Sequence, residues 1–564
     1  MKPFSDTEPL APSAPETPAR PLRAPLVWIL FPLVLGIIAA AATDLVAPVL
    51  LALLGLIFLA LSLRLEAPGR WGAALLLGAT ALAWAWAEVR LTRAPPEWDQ
   101  LPPREVFVLA QVESVSRGQT YPDYSYARLT LADVPALLAE LEGQRAFATV
   151  RQRPEDPPLE EGGLYRLRGV LHPFTAAEAR ESDFVRSQRA QQVFFRLRQG
   201  RVLEEVEGPG TLGRTLEATQ QRWATWLTDA PPAHRTEARL LGAMMLGERS
   251  FLSEEQETAF LLSGTMHLFA ISGLHVVIVA LTLRRILQFL PLPPLAREVL
   301  VLSLLLVYVA VTGFAPSALR AFSMVAFHSA ATQLGRASSA VPAVLASAVL
   351  VLVWQPGQLF SLGFQLSYSV VGGILLFGLP LAETLRLRWR LFRLRPRDDL
   401  RAWQHALRWL QERLLDSTCI SLAATLASAP LIILHFQVWT PGAILLNAVL
   451  IPLATLVVAA GVLVILLHSL GLGLAGHFFA HGAWLVLIAM DRFVDAFSRI
   501  PGVFSIRQWH APALAYLVGG GFLLGLWLLG EYAPRLPRRR LGEWLGGTAA
   551  LLLALLWLGT GALP

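Results

Sequence analysis

The chain has 564 residues, of which 54% are hydrophobic and 16% are charged, and its mean hydropathy is +0.52. This composition excludes a soluble multidomain enzyme, a disordered scaffold and a collagen-like fibre, and it favours a polytopic membrane protein with one soluble insert. The net charge of +6 does not by itself indicate nucleic acid binding, because cytoplasmic loops of membrane proteins are rich in arginine whatever they transport.

The N-terminal part combines a polar tail with apolar stretches. Residues 1–22 are rich in Pro and Ala and predict a flexible cytoplasmic tail. Residues 23–88 contain three apolar stretches, at about 25–43, 46–63 and 71–88, each near the roughly 20 residues that cross a bilayer. Because no small-residue cleavage site follows the first stretch, we interpret it as a membrane anchor and not as a signal peptide.

Residues 89–210 differ from their surroundings. Short runs of alternating apolar and polar residues, separated by Pro, Gly and charged clusters, predict a small β-barrel or sandwich. These runs are Val106–Val112, Ala127–Leu131, Phe147–Val150 and Tyr165–Leu171. A helical stretch around Ala176–Gln192 interrupts them, and residues 211–262 predict amphipathic helices that lead back to the membrane.

The second half of the chain is apolar almost throughout. Residues 263–532 predict a transmembrane channel domain, and residues 533–564 predict a C-terminal membrane helix. The candidate spans lie near 264–283, 298–314, 317–334, 340–355, 360–380, 418–436, 442–468, 474–490, 512–530 and 544–562. Several are short or contain Pro or Gly, which is typical of broken or re-entrant helices around a polar path. The predicted fold is an α-helical polytopic membrane protein of about 10–13 segments with an inserted extracytoplasmic β-rich domain.

Alternating these spans from a cytoplasmic N-terminus gives a topology that most short loops support. The β-rich domain falls outside the cytoplasm, and the Arg-rich stretch 382–415 falls inside, as the positive-inside rule requires. The loop with Arg492, Arg499 and Arg507 is an exception, because the same count places it outside. The stretch 382–415 is either a membrane-surface amphipathic segment or a nucleic acid contact.

Cysteine and lysine usage excludes further classes. Cys419 is the only cysteine, so the chain has no intrachain disulfide and no cysteine-based zinc site. Lys2 is the only lysine, and a Walker A loop needs a lysine that reaches the nucleotide phosphates. The chain is therefore not a P-loop ATPase by itself, and whatever it moves is driven by a partner or a gradient.

The densest polar cluster of the apolar half lies at 264–275. Two His, a Thr and a Ser inside an apolar span are costly unless they face water or one another. On a straight helix His267 and His275 would lie about 80° and about 12 Å apart, too far to share a metal ion. Ser272 with Gly273 also resembles the serine of rhomboid-type intramembrane proteases, although the glycine expected two residues earlier is Ala270. An intramembrane protease is kept as an alternative.

The string His267-Leu268-Phe269-Ala270-Ile271-Ser272-Gly273-Leu274-His275 closely resembles the hallmark of the ComEC family, the membrane channels for DNA uptake in natural transformation. Further motifs follow in the order of that family. They are Leu246–Ser250, Ser263–Thr265, Thr312–Arg320, Phe360–Tyr368, and His435-Phe436 with Pro441, Asn447 and Pro452. The resemblance implies a multi-pass protein of the cytoplasmic (inner) membrane that transports single-stranded DNA, and it implies that the soluble insert is an OB-fold.

The sequence departs from this family in three places. Ala179–Phe184 stands where the family has Asn-Pro-Gly-Phe-Asp, and Phe360-Ser361-Leu362 lacks the carboxylate of the usual Phe-Asp-Pro. Many relatives end in a metallo-β-lactamase-like domain, whose His-x-His-x-Asp-His cluster does not occur in this sequence. We therefore expect a short form that is not a nuclease and not an enzyme, with no cofactor and no metal.

A path for a polyanion needs hydrogen-bond donors, helix N-termini or arginine that do not bind it too tightly. The residues expected to line this path are His267, Ser272, Gly273, His275, Thr312, Ser317, Arg320, Gln365, Ser367 and Asn447. For Arg320 the alternative is a side chain that reaches the membrane surface and pairs with a lipid phosphate. In the OB-fold the resemblance implies DNA contacts, and the candidates are Arg151, Arg153, Tyr165, Arg166 and Arg168.

The expected partners follow from the same resemblance. They are single-stranded DNA, membrane lipids, a periplasmic or surface DNA receptor, a cytoplasmic DNA helicase or translocase, and a second copy of the chain. A lipid or small-anion transporter, or a structural membrane protein, is the alternative from a different class.

Overall fold

Helices dominate the computed structural model, which describes residues 26–43, 47–64, 68–91, 94–117, 123–153, 155–336, 339–392, 401–500, 505–532 and 538–562. The predicted tail, 1–22, lies outside the described residues. The first helices are α1 (Val27–Ala42), α2 (Pro48–Ser62) and α3 (Pro68–Arg90), which match the three predicted N-terminal stretches. Glycines let α2 and α3 touch, because a Cβ on Gly55 would lie 3.0 Å from the Gly78 carbonyl oxygen.

Five strands form a closed barrel in the order β1-β2-β3-β5-β4. They are β1 (Arg104–Arg117), β2 (Tyr124–Asp133), β3 (Arg145–Arg151), β4 (Leu164–Pro173) and β5 (Val193–Glu207). β3 and β5 run parallel, and the other neighbours run antiparallel. Alternate residues such as Val108, Leu129 and Leu167 fill the interior. The predicted β-rich insert is therefore confirmed, and its five-stranded barrel fits an OB-like fold.

The predicted helical stretch Ala176–Gln192 is present as two short helices between β4 and β5. They are α4 (Ala176–Glu181) and α5 (Asp183–Ala190). Thr175 and Ser182 begin them, because the hydroxyl oxygen of each accepts a hydrogen bond from an N–H of the first turn.

Three helices connect the barrel to the membrane region. They are α6 (Thr211–Thr228), α7 (Arg235–Leu246) and α8 (Glu254–Leu262). Every residue of α7 from Leu240 to Leu246 is buried, so its second half packs inside the protein. Its Met245 packs directly against Gly461, which lies on a later membrane helix. α7 is therefore part of the helical core.

The remaining helices are α9 (Gly273–Leu287), α10 (Pro294–Val311), α11 (Pro316–Gln333), α12 (Val341–Trp354), α13 (Leu362–Gly373), α14 (Leu379–Arg388), α15 (Ala402–Phe436), α16 (Ala443–Ser469), α17 (Gly473–Ser498), α18 (Pro512–Tyr532) and α19 (Arg538–Gly559). A π-helical turn, Ile374–Gly378, joins α13 to α14, so Leu362–Arg388 forms one continuous helical segment. Eight helices in the described part of the chain are long and apolar enough to cross a membrane. The short strands β6 (Val438–Trp439), β7 (Ser505–Trp509) and β8 (Thr560–Ala562) form a small sheet that follows α15, α17 and α19 along the chain.

One predicted span is wrong. α9 begins at Gly273, and the residues before it form a loop, 264–272, that contains a 3₁₀ turn at Met266–Leu268. Gly264 has a φ of +74°, a left-handed conformation that favours glycine and ends α8. The straight-helix separation expected for the two histidines therefore does not apply.

Candidate functional site

The loop 264–272 is held at the start of α16. A Cβ on Gly264 would lie 2.9 Å from the Thr440 hydroxyl oxygen and 3.3 Å from the Ala443 Cβ, so only a glycine fits here. Ser263 and Thr265 are fully buried and share a hydrogen bond of 2.7 Å. Because these hydroxyls satisfy each other, the polar loop is stable inside an apolar region.

The two histidines of the hallmark lie on either side of the helix break. Nδ1 of His267 is 3.2 Å from the Gly264 carbonyl oxygen, and the His267 side chain is exposed. Nδ1 of His275 lies 2.8 Å from the Ser272 hydroxyl oxygen. When that hydroxyl donates, the proton of a neutral His275 is on Nε2. This Nε2 atom is buried without a hydrogen-bond partner among the described residues; the Leu268 carbonyl is close by but outside hydrogen-bond geometry.

The start of α11 contacts both the loop and the start of α9. The Ser317 hydroxyl donates to the Ile271 carbonyl at 2.5 Å. A Cβ on Gly273 would lie 3.6 Å from the Ala321 side chain, so the starts of α9 and α11 are in contact. These contacts are made by residues of two separate sequence motifs.

Arg320 is buried, with 5% of its surface exposed. Its Nη2 donates to the Gly363 carbonyl at 2.9 Å, and its Nε has no hydrogen-bond partner among the described residues. No carboxylate neutralises it, because the described chain contains no ion pair to Arg320. The side chain therefore does not reach a lipid phosphate, and the alternative stated above for this residue is wrong.

The start of α13, which Arg320 contacts, carries two further predicted residues, Gln365 and Ser367. Gln365 donates through Nε2 to the Leu359 carbonyl at 3.0 Å, and its Oε1 is buried without a partner in the described chain. Ser361 caps α13, since its hydroxyl oxygen accepts from the Phe364 N–H at 3.3 Å. Ser367 is half-buried one turn later.

A hydrogen-bonded chain of hydroxyls next to Arg320 was missed by sequence reasoning. Ser323 donates to the Arg320 carbonyl at 2.7 Å and lies 2.6 Å from the Ser347 hydroxyl, which lies 2.8 Å from that of Tyr368. This chain joins α11, α12 and α13. Two signals were available, namely the serine inside the apolar run of α12 and the tyrosine that ends the motif Phe360–Tyr368.

The structure connects two predicted residues less closely. Thr312 bonds within its own helix, through its hydroxyl to the Val309 carbonyl at 3.1 Å. Asn447 lies one turn after Ala443 on α16, and its Oδ1 is buried without a partner in the described part of the chain. The Thr312 hydroxyl is thus used at the end of α10. The Asn447 Oδ1 remains without a partner in the described chain and lies on α16, the helix whose start contacts the loop.

The starts of α9, α11 and α16 thus meet at the loop 264–272, and Arg320 of α11 is hydrogen-bonded to the start of α13. Each helix N-terminus carries a partial positive charge and unpaired N–H groups, which attract anions. Four of the predicted residues on these helices have a buried polar atom without a partner in the described chain, and these atoms are His275 Nε2, Arg320 Nε, Gln365 Oε1 and Asn447 Oδ1. Such atoms are costly unless water or a ligand meets them. Of these atoms, His275 Nε2 and Arg320 Nε can donate a hydrogen bond to an anion, whereas the amide oxygens of Gln365 and Asn447 accept hydrogen bonds.

Ser272 and His275 are hydrogen-bonded, which is one requirement of the protease alternative. The two residues belong to the same helical turn, and no carboxylate of the described chain contacts His275 to orient it. A rhomboid-type serine pairs with a histidine from elsewhere in the chain, whereas Ser272 and His275 are neighbours in one helical turn. The described residues also contain no cluster of three or more metal-ligating side chains.

The barrel candidates divide into surface and core residues. Arg166 and Arg168 point outward on β4 and pair with Glu204 at 3.0 Å and Glu105 at 2.5 Å. Arg153 lies 3.6 Å from a carboxylate oxygen of Glu155. Arg151, at the end of β3, is exposed. These arginines are accessible, but three of them already have acidic partners.

Tyr165 is a core residue and not a stacking platform. It is fully buried, and its hydroxyl donates to the Pro158 carbonyl at 2.9 Å and accepts from the Glu160 N–H at 3.0 Å. Burial raises the pKa of this hydroxyl to about 12. The prediction for Tyr165 is therefore wrong, because strand alternation turns it inward between Leu164 and Arg166.

Outward aromatics lie instead on β2 and β3. Tyr126 stacks on Phe147 with ring centroids 6.2 Å apart, and Phe184 from α5 contacts Phe147 edge-on at 5.3 Å. Arg151 pairs in register with Tyr124 on the same two strands. We call Tyr124, Tyr126, Phe147, Arg151 and Phe184 the barrel face. Flat rings beside an arginine suit the bases and phosphates of a single strand.

The barrel is anchored next to the site. Arg90, at the end of α3, donates to the Trp354 carbonyl at 2.8 Å, and Gln192 of the barrel donates to the Arg90 carbonyl at 2.8 Å. Trp354 ends α12, and the chain then turns through Pro356–Phe360 into α13. The barrel therefore contacts the segment that leads to Gln365.

Comparisons with known proteins agree with this arrangement. The family model described as "Competence protein" matches residues 244–531, which is more than half of the chain. ComE operon protein 3 of Bacillus subtilis (strain 168) is 29% identical over 282 residues, which cover 49% of this chain and 32% of that relative. The match thus spans about a third of the relative's length, and no solved structure matches the chain. The apolar helices and this similarity show that the chain is a multi-pass protein of the cytoplasmic membrane. The family match over more than half of its length shows that the chain belongs to the competence protein family.

Proposed function

We propose that this chain conducts single-stranded DNA across the cytoplasmic membrane during natural competence. The proposal has three supports, namely the family match, the name of the similar ComE operon protein and the geometry of the site. The observation that carries it is the buried Arg320, which has no ion-pair partner in the described chain and joins α11 to the start of α13, beside the three helix starts that meet at the loop 264–272.

This arrangement fits a moving polyanion better than a fixed small ligand. A phosphate in the hydrocarbon core is expensive unless donors replace its water. Donors that bind too tightly would stall a strand that must pass many phosphates in succession. Arg320 is held by one carbonyl, and the other donors are neutral, so each phosphate can be released to the next.

The barrel supplies the approach on the outer side. Its barrel face offers stacked rings and an arginine, and its Gln192 binds α3 close to the segment leading into α13. We propose that a strand meets this face first and then reaches the loop 264–272. The expected periplasmic or surface DNA receptor would deliver it there.

Transport by this chain needs external work. With Lys2 as the only lysine, the chain has no Walker A loop, so we propose that a cytoplasmic DNA helicase or translocase pulls the strand. The function proposed is transport and not catalysis, and a second copy of the chain and membrane lipids are further proposed partners.

The test is uptake of labelled DNA into the cytoplasm of a deletion strain, with and without this gene restored. We expect cytoplasmic label only when the gene is present, and strong loss of uptake with His275→Ala. The matched control is His510→Ala, because His510 is exposed near the small sheet and far along the chain from the loop.

The outcomes separate the candidate functions. Normal uptake without the gene would reject DNA transport. Flux of a small anion or lipid through vesicles containing the purified chain, without DNA transfer, would support the transporter alternative instead.

A further inference from the structure

The longest helix carries an exposed surface that the proposed path does not use. α15 has 35 residues and is therefore about 52 Å long, whereas the hydrocarbon core is about 30 Å thick. Arg386, near the end of α14, pairs with Asp416 of α15 at 3.0 Å, so α14 ends beside the turn of α15 that contains Asp416. Arginines gather at this end, and the positive-inside rule places it in the cytoplasm.

The first turns of α15 extend beyond the lipid. Trp403 lies about 20 Å along the helix from Asp416, whereas the headgroup layer on one side of a bilayer is only about 5–8 Å thick. A membrane-surface segment would keep its apolar residues at the headgroup level. For a helix that crosses the bilayer along its normal, this extension lies in the cytoplasm beyond the headgroups.

We define the cytoplasmic ridge as residues 386–392 and 401–416. Three of its tryptophans are more than half exposed: Trp389 at 57%, Trp403 at 57% and Trp409 at 61%. Four of its arginines are exposed as well, and these are Arg388, Arg390, Arg401 and Arg413.

The charge of the ridge is of one sign. It contains six arginines and two acidic residues, which are Glu412 and Asp416. Both acids are paired, Glu412 with Arg408 at 3.1 Å and Asp416 with Arg386. The exposed charge is therefore positive throughout, which complements an anionic partner.

The ridge has a defined shape. Gln411 donates to the Trp389 carbonyl and accepts from the Leu391 N–H at 3.1 Å, which fixes the end of α14 against α15. Phe392 contacts Trp403 edge-on at 5.8 Å. One side of this part of α15 is packed, and the tryptophans stand on the open side.

We propose that the cytoplasmic ridge binds single-stranded polynucleotide as it leaves the path. Exposed indole rings provide stacking surfaces for bases, and the arginines contact phosphates. Arg413 already lies 5.8 Å above the Trp409 ring, an arrangement that can hold a phosphate beside a stacked base. The proposal rests on the proposed function, because that function delivers a strand to this side. A protein partner would use the same tryptophans and is treated as an outcome of the test.

The test uses the full chain in inverted membrane vesicles, which expose only the cytoplasmic face to a labelled oligothymidylate. We expect Trp403→Ala with Trp409→Ala to weaken binding about tenfold or more, since each stacked base contributes strongly. Arg401→Gln with Arg413→Gln should reduce the slope of log affinity against log salt by about 1.4. Trp28→Ala is the matched control, because Trp28 is 63% exposed on α1.

Unchanged oligonucleotide binding in the tryptophan variant would overturn the proposal. Loss of a crosslinked cytoplasmic protein from that variant, with oligonucleotide binding intact, would overturn it too and identify a protein-docking surface. Ridge-dependent binding supports the site even if the gene proves dispensable for DNA uptake, so failure of the proposed function is detected separately.

Discussion

Replacing Arg320 by glutamine tests the proposed path at its buried cation. The substitution keeps a donor near the Gly363 carbonyl, which Arg320 now contacts at 2.9 Å, but it removes the charge and the unpartnered Nε. A hydrogen bond to a charged group contributes about 1.5–3 kcal/mol. If that contribution is made to a phosphate at the highest barrier of transport, its loss slows DNA uptake about 10- to 150-fold.

The assay is the rate at which labelled DNA enters the cytoplasm, compared at equal amounts of chain in the membrane. Ser323→Ala is the matched control, because Ser323 contacts the Arg320 carbonyl at 2.7 Å but carries no charge. We expect its uptake to stay within about fivefold of the unaltered chain, since a neutral hydrogen bond contributes about 1 kcal/mol or less. Normal uptake by Arg320→Gln would refute the reasoning, and an equally severe Ser323→Ala defect would show that the effect is structural.

Three further predictions follow from the contacts described. Gly264→Ala should lower the amount of folded chain, because the new Cβ meets the neighbouring threonine in a strained backbone conformation, and membrane levels with a protease-resistance assay check this. Tyr165→Phe should destabilise the barrel by about 1–3 kcal/mol, measured by denaturant unfolding of the purified chain, and should leave DNA affinity unchanged, since its buried hydroxyl holds two backbone groups. Tyr126→Ala with Phe147→Ala should weaken single-strand binding to the outer face at least fivefold, measured with right-side-out vesicles; an unchanged affinity would contradict a role for the barrel face.

Strand alternation explains both a success and an error in the barrel. The runs around Val106, Ala127, Phe147 and Tyr165 predicted strands correctly, because a period of two is a local property. The same period places Tyr165 inside when Arg166 and Arg168 are outside, so this sequence signal contradicted the choice of Tyr165. Which outward face gathers aromatic rings depends on strand pairing, and β2 beside β3 became visible only in the closed barrel.

The helix break in the hallmark shows where local patterns stop. The apolar residues between His267 and His275 are compatible with one continuous span, so hydropathy predicted a helix over 264–283. The break depends on Gly264 fitting against Thr440 and Ala443, which lie more than 170 residues later in the chain. Only folding brings these groups together.

Hydropathy and periodicity, which depend on neighbouring residues, were enough to establish a membrane protein with an inserted β-barrel, and the family resemblance supplied an ordered series of polar motifs. The tertiary structure decided what those motifs do to one another. The buried Arg320 is held by a hydrogen bond to a carbonyl 43 residues away in the chain. The cytoplasmic ridge is exposed because α15, with 35 residues, is longer than the helices that pack against it. Burial and exposure are properties of packed surfaces, and the residues that pack are chosen by the fold and not by their distance along the chain.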